Sequence, residues 1–194
     1  LAREAEKRDR QVSIHIKVDT GMGRIGIYPQ QLQAFIEKCA HYPAIRIRGI
    51  MSHFPRADEA DKAFSHQQIE TFKGVADVAR RHGIELCHMA NSAAILDLPE
   101  AGFDAARPGI AIYGLRPSPT MQNPEVEQLK PVLEWKSRIT FLKEVPAGAG
   151  LSYGHMYRTE RPSLIATVPV GYGDGLSRNL SGKIDFLVGG LRCP

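Results

Sequence analysis

Hydrophobic positions along this chain follow two rhythms, one of period two and one near 3.6. From Gln11 to Val18 every second residue is apolar and β-branched (Val12, Ile14, Ile16, Val18). This predicts a strand that runs into Gly21-Met22-Gly23. A helix is predicted from about Pro29, where proline suits the first turn, with Leu32, Phe35, Ile36 and Cys39 on its apolar face. Ile45 to Met51 predicts a second strand, ending at Ser52-His53. A long helix from about Ala60 to Arg81 carries Phe64, Ile69, Phe72, Val75, Val78 and Ala79 and stops at Gly83. Ile84 to Met89 predicts a third strand ending at Asn91-Ser92, and Phe103 to Ala106 a short fourth ending at Arg107-Pro108-Gly109.

This βαβα series calls for parallel strands with helical crossovers, in a barrel or a doubly wound sheet. Three prolines between Arg116 and Pro124 mark a linker. Beyond it Val132 to Val145, Ser163 to Val170 and Lys183 to Val188 have β patterns, with a turn at Pro146-Ala147-Gly148-Ala149-Gly150. The expected organisation is an α/β part over residues 1–116, a linker over 117–130 and the start of a β-rich domain over 131–194.

Composition narrows the class. With 43% hydrophobic and 24% charged residues the chain is ordinary globular material, which excludes a disordered, collagen-like or coiled-coil protein. No run approaches the roughly 18 apolar residues of a membrane span. The start, Leu1 to Arg8, is a charged helix-forming run rather than a signal peptide. It lacks an initiator Met, so the chain is expected to begin inside a longer one and to be cytoplasmic. The net charge of +4 is spread along the sequence, which reads as a solvated surface rather than a nucleic-acid face. Cys39, Cys87 and Cys193 have no CxxC spacing, so neither a disulfide scaffold nor a metal site is implied.

The chemically rich residues fall at the predicted strands' C-terminal ends, where such folds place their sites. Gly21-Met22-Gly23-Arg24-Ile25-Gly26 matches GxGxxG. Lys17 and Asp19 in the preceding segment, the late helix start and the missing acidic residue on the second strand argue against dinucleotide binding. Lys17 is either an edge lysine reaching solvent or a neutralised or modified lysine held against Arg24. His53 is a loop histidine or a member of a proton network. Asn91-Ser92 is a plain helix cap or a phosphate-binding turn, and Arg107-Pro108-Gly109 adds bare glycine backbone at the next strand end. Two successive strand ends of this kind match the place where barrels bind phosphate. Tyr153 and Tyr172 lie in glycine-flanked loops, as packing aromatics or as catalytic phenols.

Taken in order, Lys17-Val18-Asp19-Thr20-Gly21-Met22-Gly23-Arg24-Ile25-Gly26, Ser52-His53-Phe54, Asn91-Ser92-Ala93, Arg107-Pro108-Gly109-Ile110, Ser152-Tyr153-Gly154 and Gly171-Tyr172-Gly173-Asp174-Gly175 resemble the alanine racemase family over nearly the whole chain. The resemblance implies the C-terminal half of a (β/α)₈ barrel followed by part of a β-rich domain. It also implies pyridoxal 5'-phosphate as cofactor, L- and D-alanine as substrates for bacterial wall synthesis, and a homodimer that shares its sites.

By the same resemblance Arg107 faces the pyridine nitrogen, and Ser92, Gly109 and Ile110 hold the phosphate. Arg24 bonds the ring's phenolic oxygen, positioned by a carbamylated Lys17. Tyr153 is the base on the L-alanine face, reaching into the partner's site. His53 joins that phenol to Arg107, and Tyr172 lines the substrate entrance. The family's cofactor-bearing lysine lies on the first barrel strand, which none of these motifs matches. A Met-Asp segment at the substrate carboxylate and a later phosphate-binding tyrosine are unmatched too. The 194 residues alone are therefore expected to be an inactive piece, because a whole barrel takes roughly 250. A broader racemase (serine or lysine) and a non-catalytic pyridoxal-phosphate barrel are the alternatives, the latter lacking a β-rich domain.

Overall fold

A computed structural model describes all 194 residues, which divide into two units, Leu1–Leu133 and Glu134–Pro194. In the first unit a short helix, α1 (Ala2–Lys7), precedes strand β1 (Val12–Lys17). A turn at Pro29–Gln31 leads into α2 (Leu32–Ala40), then β2 (Ile45–Met51), α3 (Ala63–Arg81), β3 (Leu86–His88) and α4 (Ser92–Asp97).

The three strands pair in parallel in the order β1-β2-β3. Sequential parallel neighbours joined by helical crossovers fit a barrel segment and equally one half of a doubly wound sheet. The alternation of β1 sorts its side chains. Ile16, paired with Ile50 and through it Cys87, forms a row that is fully buried beneath the helices. Lys17, Met51 and His88 form the next row, on the opposite face. Polar chemistry and core packing therefore occupy opposite sides of one sheet.

The long helix α3 buries Ile69, Phe72, Val75, Ala76 and Ala79 at three- and four-residue spacing, as its periodicity predicts. Phe72 meets Phe103 edge-to-face, with ring centroids 4.9 Å apart. The helix starts at Ala63 rather than near Ala60, because the Asp61 carboxylate accepts the Ala63 N–H at 2.9 Å and closes the preceding turn. On α2, Leu32 and Ile36 face the core, while Phe35 is exposed.

The predicted fourth strand is reduced to a single parallel bridge between His88 and Ala105. The Asp104 carboxylate takes the Cys87 N–H at 2.7 Å, so a side chain occupies a place in the ladder. The Arg107 N–H still reaches the Ala90 carbonyl at 3.0 Å, which aligns the segment with the end of β3. Met121 and Val126, in the proline-rich stretch, are buried in the core of the first unit.

The second unit is built from short antiparallel pairs. Strand β4 (Phe141–Val145) pairs with β7 (Ser163–Thr167), and between them β5 (Gly150–Leu151) pairs with β6 (Tyr157–Arg158). The hairpin of β8 (Phe186–Val188) and β9 (Leu191–Cys193) turns at Gly189-Gly190, both with positive φ. No helix of the protein is long and apolar enough to cross a membrane.

Candidate functional site

The site of the first unit gathers around Arg107. Its Nη2 donates to the Ser52 carbonyl at 2.7 Å and lies 3.2 Å from His53 Nδ1, and its Nη1 meets His88 Nδ1. A guanidinium only donates, so both imidazoles accept through Nδ1 and carry their hydrogen on Nε2. Burial, then the charges of Arg107, Arg24 and Lys17, lower the pKa of His53. Burial, then Arg107 and His15, push His88 down to about 4, against a smaller opposing effect of Asp104. The arginine thus stands between two neutral rings. None of the side chain's hydrogen bonds uses its Nε–H.

One strand end along, Ser92 begins α4, capped by Asn91 Oδ1, which accepts the Ala94 N–H at 3.1 Å. The buried Ser92 hydroxyl accepts the N–H groups of Gly109 at 2.8 Å and Ala111 at 3.2 Å. The Ile110 N–H between them is not part of that cradle. A Cβ on Gly109 would make only an ordinary 3.8 Å contact with the Ser92 hydroxyl.

The loop after β1 is wound around Asp19. Its carboxylate accepts the N–H groups of Gly21, Met22 and Gly23 at 2.8–3.1 Å. Burial raises its pKa, but those three donors and Lys17 outweigh it and hold the carboxyl below its usual range. Gly21, at φ +135°, brings the loop against α3, where a Cβ would meet Phe64 at 2.7 Å. Beneath it Thr20 and Ser52 share a 2.6 Å hydrogen bond, and the buried Gln68 amide donates to Thr20 at 3.2 Å.

Lys17 Nζ donates to the Val18 carbonyl at 3.1 Å. Burial lowers its pKa, as do the charges of Arg107 and Arg24, against the opposing Asp19. Arg24 is exposed and acts on Lys17 through its charge rather than through a hydrogen bond.

In the second unit Tyr153 is 97% exposed, at the tip of a loop with rare backbone conformations on both sides. Ser152 (φ +56°) and His155 (φ +44°) flank it, and such residues cost about 1–3 kcal/mol each. Gly150 makes the loop possible, since a Cβ there would lie 2.4 Å from the His155 ring. Tyr172 is also exposed, and Arg178 lies over its ring at 6.0 Å.

Among the expected residues the structure brings together His53 with Arg107, Ser92 with Gly109, and Lys17 within electrostatic range of Arg24. Sequence reasoning missed His15, Gly49, His88, Thr20 and Gln68. The signal for His15 was its polar character at an alternate position of an apolar strand, two residues before Lys17. The proximity of His15 to His88 depends on strand pairing, which no local pattern encodes.

The model of the family described as "Alanine racemase, N-terminal domain" matches residues 1–117, and that of "Alanine racemase, C-terminal domain" matches 132–194. The chain is 48% identical to an alanine racemase of Halothermothrix orenii over its whole length, covering 51% of that protein. It is 45% identical to one of Syntrophobacter fumaroxidans, covering 52%. Among solved structures, an alanine racemase of Clostridium difficile 630 superposes with a TM-score of 0.85 at 34% identity, over 98% of this chain and 50% of that one. One from the D-cycloserine producer Streptomyces lavendulae gives 0.82 at 36%, over 98% and 51%. The chain spans about half the length of the curated relatives it matches. The fold is accordingly part of a (β/α)₈ barrel followed by part of a β-rich domain.

Proposed function

Because this chain belongs to the alanine racemase family, we propose that it forms part of a cytoplasmic, homodimeric enzyme that interconverts L- and D-alanine for peptidoglycan synthesis. The observation that carries the reading is Arg107, held between two neutral imidazoles with its Nε–H uncommitted, one strand end from the Ser92–Gly109 cradle.

Those residues fit pyridoxal 5'-phosphate. The Ser92 hydroxyl can donate to a phosphate, whose oxygens would take over the Gly109 and Ala111 N–H groups that now point at Ser92 Oγ. Ile110 would add the next N–H, Arg24 would bond the ring's phenolic oxygen, and the Arg107 Nε–H would meet the pyridine nitrogen. When bound, the cofactor supplies an electron sink for the carbon that loses its proton.

The protein's own groups then govern proton traffic. Arg107 cannot readily give up a proton, so a ring nitrogen facing it stays unprotonated. That weakens the sink and favours simple proton exchange over side reactions. The phenol of Tyr153 takes or returns the proton on the L-alanine face, in the site of the partner subunit. His53, with its hydrogen on Nε2, is suited to donate to that phenol and favour its ionised form. A carbamylated Lys17 positions Arg24, and its lowered pKa makes the neutral amine available for that modification. Tyr172 lines the approach of the substrate.

The β-rich second unit favours this reading over a non-catalytic pyridoxal-phosphate barrel. The test is a racemase assay of the whole protein on a panel of L-amino acids with added pyridoxal phosphate. Conversion of alanine far ahead of serine and lysine is expected. Preference for another amino acid would reassign the substrate, and no racemisation at all would sink the reading.

A further inference from the structure

Two histidines outside the expected set are tied to Arg107 across the sheet. His15 on β1 is paired with Gly49 on β2, and because Gly49 has no side chain the His15 ring lies over it. A Cβ there would sit 2.9 Å from that ring and 2.5 Å from the Leu86 carbonyl. Across this gap His15 Nδ1 reaches His88 Nε2 at 2.8 Å, with ring centroids 5.0 Å apart. On its other side His88 Nδ1 meets Arg107 Nη1.

The directions of these bonds follow from the one group that can only donate. Arg107 donates to His88 Nδ1, so that nitrogen is bare and the His88 hydrogen sits on Nε2. That hydrogen points at His15 Nδ1, which must accept, leaving the His15 hydrogen on Nε2. We infer that His88 is a positioning residue for Arg107: it holds the guanidinium through Nη1, where His53 meets Nη2, while His15 fixes the tautomer in which His88 can do so. The inference rests on the reading above, in which Arg107 presents its Nε–H to the cofactor ring.

The arrangement excludes a charged His88. A protonated ring would turn a second N–H against the guanidinium and lose the acceptor that holds it. The charged or titratable groups acting on the ring are Arg107, His15 and Asp104, and the low pKa of His88 agrees with its neutral form. Without His88, Arg107 keeps only its Nη2 contacts to the Ser52 and Met89 carbonyls and to His53. The guanidinium is then free to turn about that side.

The test compares the full chain with His88→Asn, whose amide oxygen falls close to the place of Nδ1, and His88→Phe, which fills the volume without an acceptor. Two readouts are used: nitrogen NMR of the imidazoles as pH is varied, and binding of pyridoxal phosphate itself by equilibrium dialysis. The unsubstituted chain should show His88 with its hydrogen on Nε2 and still neutral well below pH 6. The Phe variant should bind pyridoxal phosphate roughly tenfold or more weakly, the loss of one charge-assisted hydrogen bond, and the Asn variant should recover most of that.

A hydrogen on His88 Nδ1, or titration near the ordinary histidine value, overturns the inference without any variant having to fold. Equal weakening in Asn and Phe also overturns it, since the residue would then matter only for packing. An unsubstituted chain that takes up no pyridoxal phosphate sinks the functional reading alone, and the tautomer of His88 still decides the positioning.

Discussion

Arg107 Nη2 lies 3.2 Å from His53 Nδ1, so the nitrogen of His53 that faces the arginine carries no hydrogen and its Nε2 does. The two residues are 54 positions apart, His53 just past β2 and Arg107 just past the bridge that stands in for the expected fourth strand. Replacing Arg107 with Lys removes the planar fork that serves the Ser52 carbonyl, His53 and His88 together. Pyridoxal-phosphate affinity should fall by about ten- to a hundredfold, for one or two charged hydrogen bonds lost. Titration of the cofactor's fluorescence into wild type and variant measures it, and an unchanged affinity would remove Arg107 from the cofactor site.

Tyr153→Phe should leave the loop intact, because the hydroxyl makes no hydrogen bond and the ring is exposed. In the whole protein, exchange of the α-proton of L-alanine with deuterated solvent should slow by on the order of a hundredfold or more, with cofactor affinity nearly unchanged. Proton NMR follows the exchange. Parallel loss of both properties would assign the tyrosine a structural role.

Lys17 should form a carbamate with dissolved carbon dioxide. The neutral amine attacks the carbon and releases one proton, and a lowered pKa raises the neutral fraction. Incubation with ¹³C-labelled bicarbonate should give a carbamate carbon signal that is absent from Lys17→Arg. A spectrum without it at Lys17 would rule out the modification.

Gly49→Ala should cost about 1–3 kcal/mol in denaturant unfolding, the range for overpacking. The added Cβ meets the Leu86 carbonyl, which cannot move without opening the β2–β3 ladder. The same substitution displaces the His15 ring, so the His15–His88 contact should vanish from NMR spectra. Wild-type stability in this variant would show that the sheet is looser there than the structure has it.

Stability should fall between about pH 6.5 and pH 4 through His88. Its folded pKa is depressed to about 4 from an ordinary 6.5, so in that window the unfolded chain binds a proton that the folded chain refuses. The contribution is complete above pH 6.5 and is lost as pH falls to 4, by roughly 3 kcal/mol. Urea unfolding of wild type and His88→Asn across that range checks it. The variant should have a shallower slope, and identical slopes would show that another group titrates.

Local residue patterns were enough to place α2, α3 and the strands β1 to β3, and the strand ends of the first unit where chemistry sits. Alternation in Val12 to Val18 and the three- and four-residue spacing from Ile69 to Ala79 are local properties, legible because each element buries one face. The same patterns also marked His53, Ser92 and Arg107, whose segments each end a predicted strand. The three-dimensional fold supplied the parallel order β1-β2-β3, which is a relation between segments far apart in the chain. It alone reduced the fourth strand to one bridge, because a single carboxylate, Asp104, took the Cys87 N–H. It alone joined His15 to His88 and His88 to Arg107, across a gap that exists because Gly49 lacks a side chain. Hydrogen bonds of this kind are set by strand register, and register is fixed by packing rather than by any local run of residues.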